Sequence, residues 1–154
     1  MGGRKRRRHE RRWTPRRVRD FSRYYSGGTD PGGVYVWLGG PAFHTVPDLT
    51  IRGAGASDRP TYAANAGDVN ADGFSDLIVS KSGHAEVYLG GSSLHAIPDL
   101  TITGNFGTVA GAGDVNGDGV DDFAVGDAGD DTGGADAGRV SVYFEATRST
   151  GSRI

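Results

Sequence analysis

Two stretches of the chain set acidic and amide side chains at alternating positions ahead of a glycine. One runs Asp68, Asn70, Asp72, Gly73, Asp76. The other runs Asp114, Asn116, Asp118, Gly119, Asp122, and both fit D-x-N-x-D-G-x-x-D. Such spacing suits coordination of a hard cation. Calcium takes about six to eight oxygens at about 2.3–2.6 Å. Side chains at positions 1, 3 and 5 can converge on one point if the backbone coils around it, and glycine at position 6 permits the sharp turn. The carbonyl at position 7, from Phe74 or Val120, would then face the ion, and Asp76 and Asp122 would close the shell at position 9. Three carboxylates this close repel one another unless a cation sits between them, so filling a loop would couple metal binding to folding. A solvated turn is the plainer alternative, because Asp-Gly and Asn-Gly are common turn residues. Two copies with one ligand order weigh against it, and two calcium sites are the expectation.

The elements around the loops decide the loop type. An EF-hand needs a helix on each side and a bidentate glutamate at position 12. Here that position holds Val79 or Val125, and the apolar runs DLIVS and DFAVG follow directly. A dockerin loop is disfavoured for the same reason, and the nonapeptide β-roll signature is absent. What remains is a loop between two strands.

Those strands belong to a repeat. VYVWLGGPAFHTVPDLTIRG at 34–53 matches AEVYLGGSSLHAIPDLTITG at 85–104, pairing Val36 with Val87, His44 with His95, Asp48 with Asp99 and Ile51 with Ile102. AGDVNADGFSDLIVS at 66–80 matches AGDVNGDGVDDFAVG at 112–126, and a third copy opens with RVSVYFE after Gly138. VYVWL, AEVYL and VSVYF are β-branched and aromatic runs bounded by glycine, the composition of strands. A period of roughly 46–51 residues with about four strands per unit is typical of propeller blades. The 27 glycines fit a turn-rich all-β chain, with no G-x-y period that would mean collagen.

Other candidate residues read as structure. His44 and His95 repeat after LGG and read as turn or rim positions. His84 and Glu86 form H-x-E, but without cysteine there is no zinc-deaminase signature. Asp121, Asp127, Asp130, Asp131 and Asp136 read as acidic loop surface, with Asp127 a candidate to touch the second loop. Trp37, Tyr35, Tyr88 and Tyr143 lie in strands and read as core or inter-blade packing. G-x-S-x-G, H-E-x-x-H and the Walker phosphate loop are missing, so no enzyme activity is expected.

Charge divides the chain. Residues 1–30 hold 11 Lys/Arg against 3 Asp/Glu, and residues 31–154 hold 6 against 16. A basic arm is joined to an acidic body. Mutual repulsion makes disorder the default for the arm and linker over 1–33, and 146–154 reads as a disordered tail. A short helix capped at Thr14, with Pro15 at its first position, would align Val18, Phe21 and Tyr25. No apolar run reaches membrane-span length, and the arm lacks the apolar region of a signal peptide. The arm could neutralise phosphates on nucleic acid, which ranks below a disordered tail or a start codon set too far upstream.

The segment Asn105 to Ala128, NFGTVAGAGDVNGDGVDDFAVGDA, resembles an FG-GAP repeat of integrin α-subunit-type β-propellers. It has Phe106-Gly107, the GD-x-N-x-D-G loop and a V-G strand end. Gly126-Asp127-Ala128 stands where that family has Gly-Ala-Pro. In the first copy Pro60-Thr61 replaces Phe-Gly and Ser80-Lys81-Ser82 replaces Gly-Ala-Pro, with the calcium ligands intact. The resemblance covers about 34–145. It implies that the loop joins the first two strands of a four-stranded antiparallel blade, with strands near 61–67, 76–80, 84–89 and 99–103. Residues 34–53 would supply the outer pair of an earlier blade and 105–144 three strands of a later one. That is a partial β-propeller of about two blades, so further blades or self-association are expected. It also implies a noncatalytic calcium-binding module for protein or surface adhesion, extracellular or at the cell surface. The rivals are an accessory domain or fragment of a secreted hydrolase, and nucleic-acid binding through the arm.

Overall fold

The computed structural model describes residues 18–24, 32–39, 45–55 and 57–144. Every regular element among them is a strand: β1 (Val18–Tyr24), β2 (Gly33–Leu38), β3 (Leu49–Arg52), β4 (Pro60–Gly67), β5 (Asp76–Lys81), β6 (His84–Tyr88), β7 (Leu100–Thr103), β8 (Thr108–Gly113), β9 (Asp122–Asp127) and β10 (Arg139–Tyr143). They form three antiparallel sheets. The central one is a four-stranded meander, β4-β5-β6-β7, flanked by β1-β2-β3 and β8-β9-β10. The central sheet is the complete blade, and its strands lie within a residue of the expected spans. By repeat position, β2 and β3 stand where β6 and β7 stand in the central sheet, and β8, β9 and β10 stand where β4, β5 and β6 do. The result is a partial propeller with no closed barrel.

Within the stretch 1–33, expected as a disordered arm and linker, residues 18–24 form β1. This strand pairs along β2, with Phe21 opposite Val36 and Tyr24 opposite Gly33, and shifts register between Val18 and Asp20. The reason is the edge it covers. Backbone groups of β2 need partners on both sides, and Val18, Phe21 and Tyr24 are good strand formers despite the neighbouring arginines. The helical alternative fails over the same residues. Thr14, Pro15, Tyr25, His44 and the tail at 146–154 lie outside the described residues.

Side-chain alternation sorts the core into two layers. On one face of the central sheet Ala63, Leu77, Val79 and Tyr88 pack against Val34, Val36 and Ile51 of the first sheet. On the other, Ile78, Ala85, Val87 and Leu89 pack against Val109, Phe123 and Val125 of the third. β5 is therefore buried along its whole length, which is why DLIVS reads as a continuous apolar run rather than an alternating one. Phe123 also stacks on Tyr143 across the β9–β10 pair, with centroids 5.3 Å apart. Each fully buried Val, Leu, Ile or Phe contributes about 1.5–3 kcal/mol, an upper estimate. Tyr88 and Tyr143 thus pack where the sequence puts core residues.

Candidate metal centre

Both acidic loops join the first two strands of a sheet, β4 to β5 and β8 to β9. Within the first, the side chains turn back onto the loop's own amides. Asp68 Oδ1 accepts from Asp72 N–H at 3.0 Å and Asp68 Oδ2 from Gly73 N–H at 2.8 Å. Asn70 Oδ1 accepts from the same Asp72 N–H at 3.0 Å, and Asn70 Nδ2 donates to Asp72 Oδ2. Asp72 Oδ1 accepts from Phe74 N–H at 2.9 Å. Positions 1, 3 and 5 are stitched into one knot rather than splayed into solvent.

The second loop repeats this wiring. Asp114 Oδ1 accepts from Gly117 and Asp118, Asp114 Oδ2 from Gly119, Asn116 Oδ1 from Asp118, and Asp118 Oδ1 from Val120. Asn116 Nδ2 donates to Asp118 Oδ2 at 2.7 Å. One difference is strain. Ala71 holds a positive φ of 55° where the second loop has Gly117, and a side chain in that region costs about 1–2 kcal/mol.

Position 9 departs from its neighbours. Asp76 and Asp122 are fully buried at the starts of β5 and β9. Asp76 Oδ2 accepts from Val69 N–H at 2.8 Å and Oδ1 from Gly90 N–H at 2.6 Å. Gly90 follows β6, so this carboxylate ties three segments together. A Cβ at Gly90 would collide with the Ser75 carbonyl, so only glycine brings its N–H that close. Burial pushes the Asp76 carboxyl up to about 7, with Asp72 and Asp68 adding repulsion against two lowering hydrogen bonds. Asp122 Oδ2 accepts from Val115 N–H at 2.9 Å, whereas its Oδ1 is buried with no hydrogen-bond partner.

The two loops also touch. Asp121 N–H donates to the Asp68 carbonyl at 3.1 Å, and Asp68 N–H donates to Asp121 Oδ2 at 2.8 Å. A Cβ on Gly67, whose φ is 89°, would lie within 2.7 Å of the Asp121 Cγ. Asp121 is therefore a clasp between the central and third sheets, not acidic surface. Asp127 sits at the far end of β9, about 17 Å along the strand from Asp122, and does not reach the loop. Asp130 accepts from Thr132 and pairs with Arg139 at 2.7 Å, and Asp131 Oδ1 accepts from Asp136 N–H. Nothing in the sequence singled out Asp121 or Gly90; comparing Ser75 with Asp121 across the repeat is the signal that could have.

A second polar cluster lies at the opposite end of the central sheet, facing the first sheet. Lys81 Nζ is 2.8 Å from Glu86 and 3.5 Å from Asp58, and His84 Nε2 is 3.2 Å and 3.5 Å from the same two residues. Tyr88 O–H donates to Glu86, and burial followed by that acceptor pushes its ionisation far up. His84 and Glu86 thus belong to a charge network that caps the core. His95 is half-exposed at a turn, with Nδ1 at 2.8 Å from the Ile97 carbonyl.

Among the described residues no group of three or more His, Cys, Asp or Glu side chains forms a ready-made metal cage. The donors nevertheless fit a hard cation. Each loop offers an asparagine, a carbonyl and carboxylates, every one an oxygen donor. Oxygens held by amides keep a second lone pair, and the orphaned Asp122 Oδ1 is a buried acceptor without a donor.

Residues 68–125, from Asp68 of one loop into β9 beyond the other, match the family of FG-GAP-like repeats. No curated protein matches the chain. The repeat spacing, the four-stranded central blade and this match agree: the segment 68–125 is an FG-GAP-like repeat.

Proposed function

We propose that the chain is a noncatalytic binding module whose loops at 68–76 and 114–122 each hold one calcium ion, stiffening one end of a stack of blades that engages a protein or surface. The single observation that supports this best is the duplicated wiring of the two loops, with Asp122 Oδ1 left buried and unpartnered in the second. A bound divalent ion would give that oxygen a partner and relieve the repulsion among Asp68, Asp72 and Asp76. Asp68, Asn70, Asp72, the Phe74 carbonyl and Asp76 would form one shell. Asp114, Asn116, Asp118, the Val120 carbonyl and Asp122 would form the other. Loops of extracellular modules bind calcium at about 10⁻⁴–10⁻³ M, which suits an extracellular or cell-surface setting. The FG-GAP-like repeat supports a protein-binding role, and adhesion is the form proposed here.

Calcium titration by calorimetry tests the reading. The wild-type chain should show two sites in that affinity range, and Asp72→Ala with Asp118→Ala should show none. Equal heats from the two proteins would sink it.

A further inference from the structure

We infer that the two calcium loops are coupled through Asp121, so that an ion in either loop raises the affinity of the other. The coupling rests on the calcium reading of the loops. Asp121 is position 8 of the second loop, between two groups that would face the ion there, the Val120 carbonyl and Asp122. Its own polar groups turn to the first loop. The Asp121 N–H donates to the Asp68 carbonyl at 3.1 Å, and Asp121 Oδ2 accepts from Asp68 N–H at 2.8 Å. Asp68 is position 1 of that loop, and its two carboxylate oxygens accept from the Asp72 and Gly73 N–H groups. A single residue therefore stands between the ligands of one loop and the first ligand of the other.

The strands that enter the loops meet as closely. A Cβ at Gly111 of β8 would lie 2.5 Å from the Asn65 carbonyl oxygen of β4, and one at Gly67 would strike the Asp121 side chain. Glycine at both places lets the two main chains touch just before the loops begin. Position 8 of the first loop is Ser75, whose carbonyl lies against Gly90 in the turn after β6. The Asp121 contact is thus particular to this pair of loops.

The sign follows from ordering. Without an ion, Asp114, Asp118 and Asp122 repel one another, and Asp122 Oδ1 stays buried with no hydrogen-bond partner. An ion that gathers these groups fixes the main chain from Val120 to Asp122, and Asp121 with it. The group that gains a partner from the ion adjoins the coupling residue. Asp68 is then held by two hydrogen bonds to a rigid neighbour, so the first loop loses less freedom when its own ion arrives. Linkage makes the effect reciprocal. Repulsion between the two ions opposes it and is screened by salt.

Calorimetric titration of the full chain with calcium at physiological ionic strength tests the coupling. Asp118→Ala leaves only the first site and Asp72→Ala only the second. The product of the two wild-type binding constants should exceed the product of the two lone-site constants by about 5–150-fold, the ordinary size of a coupling between sites. With Asp121→Ala added to all three proteins, that ratio should fall toward one while two ions still bind. Asp121→Asn keeps an oxygen for the Asp68 N–H and should retain the ratio, which a general loss of stability would not explain. Circular dichroism shows whether each variant folds, and the wild-type and Asp121→Asn ratios carry the test if Asp121→Ala does not. A wild-type ratio near one, a ratio unchanged by Asp121→Ala, or one lost in Asp121→Asn would overturn the coupling and leave two calcium sites standing. A wild-type chain that binds no calcium would overturn the calcium reading, and the coupling with it.

Discussion

At the scale of single residues, the position-9 aspartates matter most. Asp76 accepts two main-chain N–H groups from segments on either side of β5. Asp76→Ala would strand both donors in the core, a loss of about 1–3 kcal/mol for each, measurable as a lower urea midpoint. Its carboxyl carries a folded-state pKa of about 7 against an ordinary 3.8. A carboxyl raised on folding favours the protonated form, so its penalty is absent at low pH, grows as pH climbs through that window, and is constant above it. Without divalent ions this group therefore destabilises the fold toward neutral pH. If calcium binds as proposed, its stabilising increment should grow across the same interval, and urea titrations in chelator and in calcium would show whether it does. Ala71 offers the opposite case. Ala71→Gly should raise stability by up to about 1 kcal/mol, since the second loop already uses Gly117, with φ of 80°, at the equivalent position.

At the scale of elements, sheets are joined by more than apolar packing. The Asp121 clasp carries two hydrogen bonds between the loop before β9 and the start of the first loop. Asp121→Ser, which copies Ser75 of the first loop, should lower stability by about 1–3 kcal/mol in chelator, read by denaturant unfolding. At the other end of the central sheet, Lys81 neutralises Glu86 and Asp58 in a nearly closed environment. Lys81→Met would leave those carboxylates without their ammonium partner, with only the neutral Tyr88 hydroxyl and the His84 ring beside them, at up to about 3–5 kcal/mol, and adding Glu86→Gln should recover part of it. A Lys81→Met protein as stable as wild type would show that water reaches the network.

For the whole molecule, the described residues form a stack of three sheets, of which the central one has four strands. The central sheet is covered on both sides, so it should be the most stable unit. Amide exchange should be slowest in β5 and fastest in β7 and β10.

Much was legible in the residues themselves. The duplicated D-x-N-x-D-G-x-x-D spacing and the repeated VYVWL, AEVYL and VSVYF runs specify strand-loop-strand units, because loop ligand order and strand composition are local properties of the backbone. The bounds of β4 to β7 followed from the resemblance to FG-GAP repeats. The sequence by itself also determined the charge division and the absence of thiol chemistry. Tertiary structure decided the rest. A basic segment became β1 because an open edge of β2 was there to pair with it. Asp121 became a clasp because β4 and β8 lie side by side, and Asp76 became a staple because the turn after β6 returns to it. Each of these depends on which groups meet across long separations in the chain, and no local spacing encodes that.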